Sequence, residues 1–254
     1  MTTVSDIYNN LCELAPVELQ CGYDNAGFLI GRAEREVKKV LLSLDITDEV
    51  IVEAEELGAE LIVSHHPIIF TSLHSLTDNG SGNKALKMAE KGIAAICMHT
   101  NLDIAKGGVN DVLLELMGAK EIDSLDEDNC GRIGEFNSEI PFKEFLVQCK
   151  VALKAKGLRY YDAGRPVKRL AVMGGSGSSA IDTAFNKGCD TYLTADINYH
   201  KFQRAQELGL NLIDGDHFYT ENPIISVIAD RLSATFPNVE FMVSKKHHAI
   251  IDFA

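Results

Sequence analysis

Histidines and carboxylates that could hold a metal fall in three short runs, each directly after an apolar stretch. The first is Ser64-His65-His66-Pro67, which follows Leu61-Ile62-Val63. Adjacent residues on an extended strand point to opposite faces, but a turn forced by Pro67 can swing both imidazoles toward one site. Two neutral imidazoles suit Zn, Fe, Ni or Co, whereas Mg and Ca prefer oxygen shells. Read alone, the run is as readily a polar loop with two incidental histidines. The second run, His99-Thr100-Asn101-Leu102-Asp103, follows Ala94–Met98 and leads into Ala105-Lys106-Gly107-Gly108. A carboxylate at Asp103 can bridge two metals. In isolation a helix cap or turn closure is the better reading of it. The third run spans Asp214 to Pro223 after Leu210–Ile213. His217 and Glu221 stand at i, i+4, a spacing that faces both one way on a helix and that surface salt bridges also use. Pro223 belongs in a first helical turn, so His217 is expected in the strand-to-helix turn before it.

Taken together, the runs weigh more than they do singly. Each sits at an expected strand end, where open α/β sheets bind ligands. They supply His65, His66, Asp103, His217 and Glu221. Such a nitrogen and oxygen set suits two divalent ions completed by water, one acidifying that water and the other polarising the bond attacked. Zn, Fe, Mn, Ni and Co all fit it.

The elements that must position these residues follow from periodicity. Strands are expected at Val40–Leu44, Leu61–Ser64, Ala94–His99, Leu170–Met173, Thr191–Thr194, Leu210–Ile213 and Val239–Val243. Amphipathic helices are expected at Asp48–Leu57, Lys84–Lys91, Val109–Met117, Ala180–Lys187, Lys201–Leu208 and Ile224–Ala234. Glycines at 58, 92, 118, 188 and 209 sit where left-handed caps would end helices. The alternation implies an α/β fold with mixed, largely parallel sheets. The rhythm breaks between 124 and 167, which carries an acidic run, Gly131, Gly134, Pro141, Gly164 and Pro166. That stretch is expected to connect two α/β halves, 1–123 and 168–254, with its own helix near Phe142–Lys156.

Several further residues invite a role. Gly174 to Ser179 could cradle a phosphate at a helix start. It lacks the Lys-Ser/Thr ending of a P-loop, and a plain βα turn is favoured. His200 is a weak catalytic candidate, a general acid or substrate contact, against an ordinary surface histidine. His99 is expected to orient a ligand by hydrogen bond. Asp24-Asn25 could close a turn or contact substrate, the turn being favoured, and His247-His248 reads as a solvated strand end.

Composition narrows the classes. A formal net charge of −13 argues against nucleic-acid binding through phosphate neutralisation. A nucleotide substrate stays open, since bound ions add positive charge that the sequence count omits. No apolar run approaches the roughly 20 residues of a membrane span, and the N-terminus lacks a signal-peptide pattern. Six scattered cysteines without Cys-x-x-Cys spacing read as reduced thiols. A cytoplasmic location is expected.

These motifs, in this order, resemble the Nif-three-like dinuclear metal proteins, also catalogued as GTP cyclohydrolase 1 type 2 homologues. The resemblance spans nearly the whole chain. It rests on Tyr23-Asp24-Asn25-Ala26-Gly27, Ser64-His65-His66-Pro67, His99-Thr100-Asn101-Leu102-Asp103 and Gly174-Gly175-Ser176-Gly177. Thr194-Ala195-Asp196-Ile197-Asn198-Tyr199-His200 and Gly215-Asp216-His217 with Glu221 complete it. It implies two divalent ions held by His65, His66, Asp103, His217 and Glu221. It also implies a toroidal homohexamer, a trimer of dimers, with its metal sites facing the interior. Two departures are Tyr23, where a Trp is usual, and Asn198, where a basic residue is common; both bear on substrate contacts rather than on the ligands. The family name implies hydrolytic opening of a purine ring, and hydrolysis of a nucleotide phosphoester or pyrophosphate would use the same site. A non-catalytic ring that stores or delivers metal, or scaffolds partners, is the rival class.

Overall fold

Apolar β-branched runs punctuated by glycine-capped helices fold into two sheets. The computed structural model describes residues 1–80 and 82–253. In chain order the elements are α1 (Val4–Leu14), β1 (Gly27–Ile30), β2 (Lys39–Ser43), α2 (Asp48–Leu57), β3 (Leu61–Ser64), α3 (Asn83–Lys91) and β4 (Ala94–Cys97). There follow α4 (Thr100–Ile104), α5 (Val109–Met117), β5 (Lys120–Ser124), β6 (Arg132–Ile140), α6 (Phe142–Leu153), β7 (Arg159–Tyr161) and β8 (Val167–Val172). The last are α7 (Ile181–Asn186), β9 (Thr191–Thr194), α8 (Tyr199–Leu208), β10 (Asn211–Asp214), α9 (His217–Glu221), α10 (Pro223–Thr235) and β11 (Glu240–Val243). Local chemistry sets the ends. Thr47 caps α2 by accepting from the Val50 amide, Asp48 and Glu49 meet its dipole, and Gly58 at φ 68° stops it.

One compact unit comprises 1–106 and 224–248. Its sheet runs β1-β4-β3-β2-β11. The four strands from β4 to β11 are parallel, and β1 lies antiparallel at the edge. Leu41, Ile51, Ile62, Met88 and Cys97 lie in its core. The other unit comprises 107–223 and 249–254, with sheet order β5-β6-β8-β9-β10-β7. Here β8, β9 and β10 are parallel and the flanking strands antiparallel. Successive residues on its parallel strands feed opposite faces, as the pleat requires. Leu170, Val172, Leu193 and Ile213 pack with α5 and α6, while Ala171, Tyr192 and Leu212 pack with α7 and α8.

The sheets are mixed, as expected, but the division of the chain differs from the sequence reading. Residues 124–167 hold the nine-residue strand β6, helix α6 and strand β7, all within the second unit's sheet or core. The expected helix there is α6, while the strands escaped because only part of Arg132–Ile140 is buried. The final strand β11 pairs with β2 rather than with the strands that precede it in sequence, and so covers an otherwise open edge.

Candidate metal centre

Four neighbouring parallel strands of the first unit each deliver polar side chains just beyond their C-terminal ends. His247 follows β11, Asp45 follows β2, His65 and His66 follow β3, and His99 follows β4. That edge is the ligand-binding edge of such sheets. The rings of His65 and His66 lie 5.0 Å apart, those of His65 and His99 5.2 Å, and those of His66 and His99 5.6 Å. One ring nitrogen from each of the three falls within 4.8 Å of the others. Asp103 sits inside α4, and its Oδ1 lies 3.6 Å from His65 Nε2.

Each imidazole is anchored by the same nitrogen. His65 Nδ1 lies 2.8 Å from the Met98 carbonyl, which can only accept, so Nδ1 carries the proton. His66 Nδ1 donates to Asp45 Oδ1 at 2.7 Å, and His99 Nδ1 to Asp24 Oδ1 at 2.7 Å. Asp24 also accepts from the Thr100 amide at 3.0 Å and its hydroxyl at 2.5 Å. Burial works against ionising Asp24, but the His99 and Thr100 donors outweigh it and hold the carboxyl well below the usual range. With Nδ1 protonated, Nε2 keeps its lone pair for a metal.

The second unit repeats the device. Gly174 to Gly177 follow β8, Asp196 follows β9 and His217 follows β10. His217 Nδ1 donates to Asp196 Oδ2 at 2.8 Å, and its Nε2 lies 3.0 Å from Glu221 Oε2, one turn along α9. Burial disfavours the imidazolium, yet Glu221 and Asp196 together outweigh it and raise His217 to about 9. The Ser176 hydroxyl donates to the same Asp196 carboxylate. Asp196 and Asp216 hold positive φ values of 52° and 67° without being glycine. Backbone strain of that kind persists where the surroundings over-determine it, commonly at functional sites.

The glycine-rich turn serves this pair rather than a phosphate. The Gly174 amide donates to Asn110, Gly175 to Thr220 and Gly177 to Thr194. At φ +60°, Gly175 lies so close that an added Cβ would overlap the Glu221 carboxylate and stand 3.1 Å from His217 Nε2. His200 is exposed on α8, where its Nδ1 lies 3.0 Å from Gln203 and its ring packs on Tyr199; neither contact supports a catalytic role. His217 opens α9 instead of lying in the preceding turn, and Pro223 does begin α10.

Three carboxylates were missed as His partners: Asp24, Asp45 and Asp196. Asp24 is no mere turn former, and His247 is not a solvated strand end, since its Nε2 lies 2.9 Å from Asp45 Oδ2. A signal existed for two of them, because Asp45 and Asp196 fall within two residues of the ends of strands β2 and β9.

Imidazoles tethered at Nδ1 beside carboxylates, at the C-terminal edges of parallel strands, define an α/β protein with donor clusters that could hold transition-metal ions. The chain belongs to the Duf34/NIF3 family (NGG1p interacting factor 3), whose model matches residues 2–249. It is 36% identical over 252 residues to the GTP cyclohydrolase 1 type 2 homolog of Clostridium perfringens, covering 96% of each chain. It is 32% identical over 233 residues to the GTP cyclohydrolase 1 type 2 of Helicobacter pylori strain J99, covering 91% of this chain and 92% of that one. In fold it matches the Bacillus cereus protein related to NIF3 with a TM-score of 0.91 at 24% identity, covering 100% of this chain and 99% of that chain. Reduced HcgD from Methanocaldococcus jannaschii matches with a TM-score of 0.85 at 30% identity, covering 96% and 98%.

Proposed function

We propose that the chain binds two divalent transition-metal ions through His65, His66, Asp103, His217 and Glu221, and uses them to hydrolyse a nucleotide or related small molecule. The observation that carries this reading is the shared orientation of four histidines, His65, His66, His99 and His217. Each is tethered at Nδ1 to an oxygen acceptor. Metal-ligating histidines are oriented in this way, the ring nitrogen that faces away from the ion donating to a carboxylate or a backbone carbonyl. What supports two ions is the donor set: three imidazoles and two carboxylates make the mixed nitrogen and oxygen shell that such ions take, completed by water.

When bound, such ions polarise the bond under attack and bring the pKa of a water near neutrality. The chain's own residues do the rest. Asp24, Asp45, Asp196 and the Met98 carbonyl fix the rings through Nδ1 and so leave Nε2 as the nitrogen turned toward an ion. Asp103 and Glu221 offset the cationic charge. Tyr23 and Phe70 lie exposed and edge-to-face at 6.5 Å, with Phe70 6.0 Å from His99. They give a planar ring a surface to stack on beside the histidines. The names of the relatives support a purine nucleotide as that ring. A toroidal homohexamer completes the proposal on the strength of the family resemblance, and the scattered cysteines without Cys-x-x-Cys spacing support a cytoplasmic location. No described helix is long and apolar enough to cross a membrane.

Metal content per chain, measured by mass spectrometry on untagged wild type and Glu221→Ala, tests the centre. About two transition-metal ions in the wild type and a sharp fall in the variant are expected. Fewer than about one ion per chain, unchanged by the substitution or by added metal, would overturn it.

A further inference from the structure

His247 is 202 residues from Asp45 in sequence, yet the two carry a network that ends on His66. The network begins on α2. Glu53 lies on the buried face of that helix, only 7% exposed, where a carboxylate needs donors. It finds them in the segment just after β11. Glu53 accepts from the Ser244 hydroxyl at 2.5 Å and from the Lys245 and Lys246 amides at 2.9 and 3.3 Å. Burial disfavours its charge, but these donors prevail and hold the carboxyl below its ordinary range. The Ser244 hydroxyl oxygen in turn accepts from the Lys246 and His247 amides at 3.2 and 3.1 Å.

Residues 244–248 are thereby bent back over the strand ends, and His247 is aimed at Asp45. Its Nε2 lies 2.9 Å from Asp45 Oδ2 and 3.2 Å from the Asp45 amide nitrogen. The shorter contact is to a carboxylate oxygen, which can only accept, so Nε2 carries the proton. The other oxygen, Oδ1, lies 2.7 Å from His66 Nδ1. Asp45 is therefore shared by two imidazoles, one oxygen to each. A carboxylate held from one side only can rotate about its side-chain torsions. Held from both sides, it fixes the plane and tautomer of the ring it orients.

We infer that Glu53 and His247 are positioning residues for His66, acting through the 244–248 segment and Asp45. The inference rests on the metal-binding reading of the histidine cluster. It adds a third layer behind the ligand, built from the end of the chain's last strand. A purely architectural role for His247 would require only its volume at that spot. A positioning role requires its N–H.

That difference sets the experiment, done on the full chain with Co(II) as the probe. Wild type, His247→Ala, His247→Phe, His247→Gln and Glu53→Gln are titrated against a competing chelator while the visible spectrum is recorded. His247→Phe keeps the bulk without the donor, and the Gln amide can reach Asp45 as the imidazole does. His247→Ala and His247→Phe should weaken one Co(II) by about 10- to 100-fold and alter its absorption bands. His247→Gln should recover most of that loss, and Glu53→Gln should fall between. Melting of the metal-free variants shows which have folded, and His247→Phe stands in should His247→Ala fail to. Wild-type affinity and spectrum in His247→Phe, or His247→Gln as weak as His247→Phe, would overturn the inference and leave the metal site standing. No Co(II) bound to the wild type would remove the metal reading itself, and this inference with it.

Discussion

Replacing Gly175 by alanine separates the backbone role of the glycine-rich turn from its role at the His217–Glu221 pair. Two effects add. At φ +60° a side chain makes the left-handed backbone costly by about 1–2 kcal/mol. The new Cβ would also stand 2.1 Å from Glu221 Oε1 and 3.0 Å from its Cδ, both inside ordinary contact at about 3.5 Å. The carboxylate must then retreat by roughly 1 Å or more, well beyond the ~0.2 Å tolerance of a metal–ligand bond. Gly188→Ala is the matched control, since Gly188 has φ +76° and nothing within 4 Å of the added atom. Both variants should lose about 2–8 °C in Tm when metal-free. Only Gly175→Ala should lose metal affinity, by about tenfold or more. The assay is chelator competition followed by metal analysis, beside thermal melts of the stripped proteins. Equal metal affinity in Gly175→Ala and wild type would refute the reasoning, because the overlap with Glu221 leaves no way to keep the ligand in place.

Two further outcomes are expected. Folded, metal-free protein holds the His217 proton to about 9, against an ordinary 6.5. That protonation stabilises the fold fully below about pH 6.5 and is lost as pH rises through 9, so Tm of the stripped protein should fall across that window. The fall should be smaller in His217→Ala, and identical slopes in the two proteins would contradict the pairing with Glu221 and Asp196. Asp24→Asn removes a charge from a carboxylate whose side chain has no exposed surface and which accepts from His99 and Thr100. A loss of about 1.5–3 kcal/mol is expected, seen as a Tm about 3–12 °C lower. An unchanged Tm would mean that Asp24 is no anchor for His99.

Much of the fold was legible because its signals are local. Strands β3 and β9 and helices α2 and α5 fall on the residues that periodicity and glycine caps mark out. The rule that ligands gather past the C-terminal ends of parallel strands also needs only short stretches of chain. It led to His65, His66, Asp103, His217 and Glu221, and within each unit the structure brings them near one another: His65 with Asp103, His217 with Glu221. Strand β6 was lost because it is buried over only part of its length, and with it the reading of 124–167 as a connection.

Sequence by itself thus determined most of the element types, the α/β class and the candidate donor residues, since each depends on neighbours within a few positions. Only the tertiary structure decided which acceptor orients which ring. Asp24 reaches His99 across 75 residues, Asp45 reaches His66 across 21, and His247 reaches Asp45 across 202. Those distances in sequence close because β1 lies beside β4, β2 beside β3, and β11 beside β2. Strand order is settled by the burial of whole sheet faces and the pairing of strand edges, a sum over the unit that no local pattern records.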